Sequence, residues 1–195
     1  MEQINLNFKL WNNRKPIKGD LLLAAPFLGD ANFDHAVVLL CDFTPEGAFG
    51  FVLNHTANLF LSDVIDGFED IEIPLFIGGP VEKSTLHVLH SASSNIEASI
   101  SVTDKISWGG SMKEMKEKLK NGLAKKEDFR FFLGYSGWGN DQLISELKSQ
   151  SWALTSSDEV SIFEESDEKL WRNIYKKMGG KYKIVANTPL DPSFN

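Results

Sequence analysis

Apolar positions along the chain change their spacing several times, and each change marks an element. Behind a Gly19-Asp20 turn, Leu21-Leu22-Leu23-Ala24-Ala25 is a short continuous apolar run that predicts a buried strand. Residues 36–41 and 48–53 are two further apolar stretches. Between them, Thr44-Pro45-Glu46-Gly47 carries proline second and glycine fourth, as a type I turn prefers, so the segment predicts a β-hairpin. Leu61, Val64, Ile65 and Phe68 follow helical spacing behind a Ser62 cap, and residues 73–77 return to strand composition before Gly78-Gly79-Pro80.

Residues 85–89 and 96–102 predict two strands, expected to be antiparallel neighbours because the link between them is short and polar. Met112, Met115 and Leu119 lie on one side of a helix expected over 111–121, with Gly122 as its stop. Residues 129–133 predict a strand that ends in the glycine-rich Gly134-Tyr135-Ser136-Gly137-Trp138-Gly139. A helix carrying Leu143, Ile144 and Leu147 should begin near Asn140 or Asp141, and residues 152–155 should form a strand. The last predicted helix has Ser166 as its cap, a stripe of Leu170, Trp171, Ile174, Tyr175 and Met178, and Gly179-Gly180 at its end. From Ile184 onward the tail is expected to be irregular. Strands mixed irregularly with short helices, without a repeat or linker, predict one α+β domain over 19–195 behind an N-terminal arm over 1–18.

Composition narrows the function. Twenty basic against 27 acidic residues give a net charge of −7, which works against binding nucleic acid through the surface as a whole. The longest apolar run, Leu21 to Leu28, is interrupted by Pro26 and falls far short of the ~20 residues of a membrane span. No secretory or lipoprotein signal is readable, and the single Cys41 has no internal disulfide partner, so a cytoplasmic protein is expected.

Several motifs suggest chemistry. Gly134-Tyr135-Ser136-Gly137-Trp138, between a predicted strand and helix, approaches a nucleophile elbow, which would make Ser136 the nucleophile of a hydrolase. The position two beyond the serine is Trp138 rather than glycine, and neither a histidine nor an acid is identifiable as a partner, so a glycine turn anchored by Trp138 is the preferred reading. Gly78-Gly79-Pro80 likewise reads first as a turn, and as an anion cradle only second. His87 and His90 on a strand would point to opposite faces and no ligand set completes them, so neither a metal nor a cofactor is predicted. Lys113, Lys116 and Lys120 form a weak basic stripe, read as a solvated helix face.

The succession of Gly19-Asp20-Leu21-Leu22-Leu23-Ala24, Phe33, the segment 47–54, Gly78-Gly79-Pro80-Val81, Leu86-His87 with His90, the segment 132–138, Gln142-Leu143 with Glu146, Trp152 and Leu170-Trp171 resembles the AlgH/YqgE family of bacterial proteins. The resemblance covers nearly the whole chain from Gly19. It implies an α+β domain with a bent, barrel-like, mainly antiparallel sheet and helices packed outside. It implies no assigned biochemistry, although one branch carries the label of a transcriptional regulator. Relatives commonly have alanine where Ser136 stands, which weakens the hydrolase reading, and a basic residue where His35 and His55 stand. The leading expectation is a binding or regulatory protein rather than an enzyme, with an unidentified small molecule or protein as partner. Its candidate site residues are Asn54, Gly78, Gly79, Pro80, Gly134, Gly137, Trp138 and Gln142, all in polar or glycine-rich segments near the ends of predicted strands.

Overall fold

The computed structural model describes residues 9–10, 13–158, 160, 162–163 and 169–188. Among the described residues, a curled, mainly antiparallel sheet forms a half-barrel, and four short α-helices pack on it. Its strands are β1 (Asp20–Ala24), β2 (Val37–Thr44), β3 (Gly47–Val52), β4 (Thr56–Phe60), β5 (Pro74–Ile77), β6 (Val81–Ser91), β7 (Ser99–Ser101), β8 (Ile106–Gly109), β9 (Phe129–Gly139) and β10 (Trp152–Ser156). The main path runs β10-β1-β2-β3-β9-β6-β8-β7, while β4 pairs with β5 and β5 lies parallel to β9.

The four helices are α1 (Met112–Lys120), α2 (Gln142–Lys148), α3 (Lys169–Met178) and α4 (Tyr182–Ala186). Strand β1 shows why its apolar run is continuous. Leu21 and Leu23 face a core closed by Trp171, Ile174 and Tyr175 of α3, whereas Leu22 and Ala24 face one closed by Leu143 and Leu147 of α2. A strand covered on both faces has no solvent side to make polar. Trp171 and Tyr175, one helical turn apart, both donate to the carbonyl of Ala24, at 2.8 and 3.2 Å, which ties α3 to the end of β1. Burial pushes the Tyr175 phenol up, so this donor stays protonated. A third core joins Leu75, Val88, Phe129 and Phe131 to Met115 of α1 and to Leu61 and Phe68.

The predicted hairpin is present as β2–β3, and Ser111 caps α1 by accepting the Glu114 N–H at 3.3 Å. Other expectations are corrected. The helical spacing at 61–68 yields only a single 3-10 turn, Leu61–Asp63, because Leu61 and Phe68 reach the α1 core from a succession of turns. Strands β6 and β7 are not neighbours: the unforeseen β8, four residues long, lies between them. The tail continues past Ile184 as α4, held by burial of Val185 and Ala186. The Ser166 cap lies outside the described residues, as do Pro189 and Pro192.

The largest correction concerns the glycine-rich segment. Residues 134–139 are the second half of β9, an 11-residue strand, and not a turn. Its first half pairs with β5 through Phe131 to Leu133, and its second half pairs with β3 through Ser136 to Gly139. Gly134, at φ +68°, is a bulge that also shifts the alternation: Phe132 and Tyr135 face the α3 core, while Phe131 and Trp138 face the opposite side.

Candidate functional site

The residues singled out in the sequence take up distinct positions around β9. Gly78 sits where β9 exchanges β5 for β3: its N–H donates to Leu133 O, and its carbonyl accepts from Val52 N–H and from Ser136 Oγ, at 2.9, 2.9 and 3.0 Å. A Cβ on Gly78 would stand 2.3 Å from Gly134 O, and one on Gly79 would stand 2.3 Å from Tyr135 O, so glycine allows two backbones to cross in contact. Pro80 follows, leading into β6. Ser136 is fully buried in mid-strand with its proton committed to Gly78, which removes the elbow geometry.

Asn54 is buried on the other side of β3. It accepts from Val37 N–H and donates to His35 O, both at 2.9 Å, and so pins the 25–36 loop to β2. Trp138 packs its ring in the α2 core and donates Nε1–H to Glu146 Oε2 at 2.8 Å. Gln142 accepts the Gly139 N–H and donates to Glu146 Oε1. Asp141 precedes α2 without a side-chain cap bond. The basic stripe on α1 stands near the loop that carries Glu69. Backbone N–H bonds, that of Gly67 first, hold the Glu69 carboxyl below its ordinary range, and Lys120 and Lys116 add to the effect.

One candidate, Gly137, opens onto a feature that the sequence did not reveal. Opposite it in the ladder is Phe49, and opposite Phe49 on β2 is Asp42. The ring of Phe49 is partly exposed at the floor of a groove of about 670 Å³, into which a Cβ at 137 would project against the Tyr135 ring at 3.2 Å. Its described lining comes from β2, β3, β6, β8, β9 and the 45–46 turn, and none of it from a helix. The groove lies on the sheet face that carries α3, beyond the part that helix covers. Trp108 and Tyr135 meet Phe49 edge-to-face at centroid distances of 5.1 and 6.3 Å, and His87 meets Tyr135 at 5.8 Å and Phe51 at 5.4 Å. Phe49, Trp108, Tyr135 and His87 all retain solvent access, whereas Phe51 beneath them is buried.

The tautomer of His87 is fixed by its neighbour. Thr85 Oγ1 gives its only proton to the carbonyl of Glu82 at 2.7 Å, so the 2.9 Å contact to His87 must be donated by Nε2–H. Nδ1 is then the ring's acceptor. Burial holds the imidazole below its ordinary pKa, with Glu82 opposing, so near neutral pH the ring is uncharged and accepts at Nδ1. His90, three residues along, is buried elsewhere with Nδ1 against Ser91 O, so the two histidines do not converge. Among the described residues no three His, Cys, Asp or Glu side chains gather as metal ligands.

Sequence reasoning missed Trp108 because it stands between Ser107 and Gly109 in a four-residue strand. It passed over Phe49 because it looks like an ordinary alternating core position, and it weighed His87 only as a metal ligand and Tyr135 only within a glycine turn. The only signal was the pairing of a glycine with an aromatic across two strands, visible once register is known.

A family model described as AlgH-like (DUF179) matches residues 21–183. Similar proteins include a UPF0301 protein of Cytophaga hutchinsonii, 38% identical over 91% of this chain and 98% of the relative. Another, from Bacteroides thetaiotaomicron, is 36% identical over 94% of each chain. Among solved structures, protein DIP2367 from Corynebacterium diphtheriae shares the fold at a TM-score of 0.74 and 16% identity, over 93% of this chain and 99% of that one. The solution structure of AlgH from Pseudomonas aeruginosa does so at 0.69 and 23% identity, over 97% and 98%.

Proposed function

The chain belongs to the AlgH-like family, and we propose that it works as a cytoplasmic binding protein whose recognition surface is the groove around Phe49, Trp108 and Tyr135. The observation that carries this reading is a cluster of partly exposed rings, Phe49, Trp108 and Tyr135 with His87, that meet one another in a groove whose described lining includes no helix. Left to solvent, those rings forgo apolar burial of roughly 25 cal/mol per Å² that a ligand can recover. Gly137 belongs to this site directly. Gly78, Gly79 and Gly134 support it by shaping the β9 crossing, and Trp138 and Gln142 support it through α2. In this reading any link to transcription is indirect: occupancy of the groove, and not contact between nucleic acid and Lys113, Lys116 or Lys120, is the regulatory event.

A thermal-shift screen against metabolites tests the reading. A ligand at 100 times its dissociation constant stabilises a fold by ~2.7 kcal/mol, which for a chain of this length raises the melting temperature by roughly 5–10 °C. The shift should vanish in Trp108→Ala and in Gly137→Val, which fills the groove without removing a ring. A shift retained in both variants places the ligand elsewhere and refutes the groove.

A further inference from the structure

The groove's charge and its volume together narrow the class of ligand, on the premise that the groove is the binding site. Its described lining contains two carboxylates, Asp42 and Glu46, and neither lysine nor arginine. Asp42 is opposite Phe49 in the ladder, so the carboxylate and the ring share a face. An anion placed here would meet like charge and the negative faces of aromatic rings. A cation would be attracted by both, and a tryptophan ring is the strongest aromatic partner for it.

His87 adds an acceptor: Nε2–H is held by Thr85, leaving Nδ1, which forms no hydrogen bond among the described residues, to accept a hydrogen bond from an N–H donor. Strand β3 is paired on both sides beneath the groove, between β2 and β9, whereas β9 pairs there with β3 from Ser136 to Gly139 and meets β6 only at Val81 and Tyr135. The volume of about 670 Å³ suits a small molecule.

We propose that the groove binds a small organic cation, an ammonium or guanidinium group carried on a flat apolar body, with the body against Phe49, Trp108 and Tyr135 and the nitrogen toward Asp42 and Glu46.

Three probes with one ring system and different head groups test this: 1-naphthylmethylammonium, 1-naphthalenemethanol and 1-naphthoate. Each is titrated into the isotopically labelled protein while the indole N–H resonance of Trp108, identified by its loss in Trp108→Phe, is followed. The ammonium should bind about tenfold more tightly than the alcohol, and the carboxylate most weakly of the three. Asp42→Asn with Glu46→Gln should bring the ammonium to the affinity of the alcohol and leave the alcohol unchanged. Both positions are exposed, and the amide in Asp42→Asn keeps the oxygen that accepts the Phe43 N–H, so the fold is preserved. Equal binding of ammonium and alcohol at Trp108 would overturn the charge assignment while leaving the groove reading intact. No response at Trp108 to any probe would overturn both.

Discussion

Glu146 carries more of the fold than its half-exposed place on a seven-residue helix suggests. Its Oε2 accepts the indole N–H of both Trp138 and Trp152 at 2.8 Å, and its Oε1 accepts from Gln142. The two indoles belong to different strands, β9 and β10, so one carboxylate links α2 to both of them. Trp152 is 1% exposed and Trp138 6%, which leaves water little access to either donor if the carboxylate is removed. Each orphaned donor should cost ~1–3 kcal/mol, so Glu146→Leu should destabilise the protein by about 4 kcal/mol. At ~2–4 °C per kcal/mol for a chain of this length, the melting temperature should fall by roughly 8–16 °C. Glu146→Gln keeps a neutral acceptor and should cost about half as much. Urea unfolding followed by tryptophan fluorescence measures both. If Glu146→Leu lies within ~0.5 kcal/mol of wild type, as an ordinary surface change would, the proposed bridge is refuted.

Three further outcomes are expected. Asn54→Leu leaves Val37 N–H and His35 O without partners and should cost about 2–4 kcal/mol in the same unfolding assay. Gly78→Ala should destabilise more than Gly122→Ala, since an added Cβ meets the Gly134 carbonyl at 2.3 Å in the first case and open space in the second; comparing their urea midpoints with wild type decides it. Because His87 titrates below its ordinary value in the folded chain, the unfolded chain binds more protons between the two pKa values. Its contribution to stability should therefore be fully present above about pH 6.5 and decline as the pH falls toward the folded value, and His87→Gln should remove that part of the slope.

Elements whose signal is local were legible in the sequence. The β2–β3 hairpin follows from its turn, α1 from Ser111 and its apolar spacing, and α3 from a stripe that includes Trp171 and Tyr175. The glycine-rich half of β9 was not legible. Gly134, Gly137 and Gly139 look like turn residues when read along the chain, but the contact that requires Gly134 comes from elsewhere, where it passes Val81 O, and Gly137 simply stands across from Phe49 in the ladder. For the same reason the candidate site was only partly legible. Gly137 was found as a glycine, but the rings of the groove come from β3, β8 and β9, and nothing within one segment marks Phe49, Trp108 and Tyr135 as neighbours. Asn54 was singled out as a polar residue near a strand end, yet its amide is spent on the backbone of the preceding loop.

The central claim, that ligands are recognised in the groove, is tested most directly by mapping aromatic fragments onto the backbone and indole N–H resonances of wild type and Gly137→Val. The account predicts perturbations centred on Phe49, His87, Trp108 and Tyr135 in wild type, and their loss when a side chain at 137 fills the groove beside Tyr135 and Val81. Perturbations centred elsewhere, or unchanged in Gly137→Val, would contradict it.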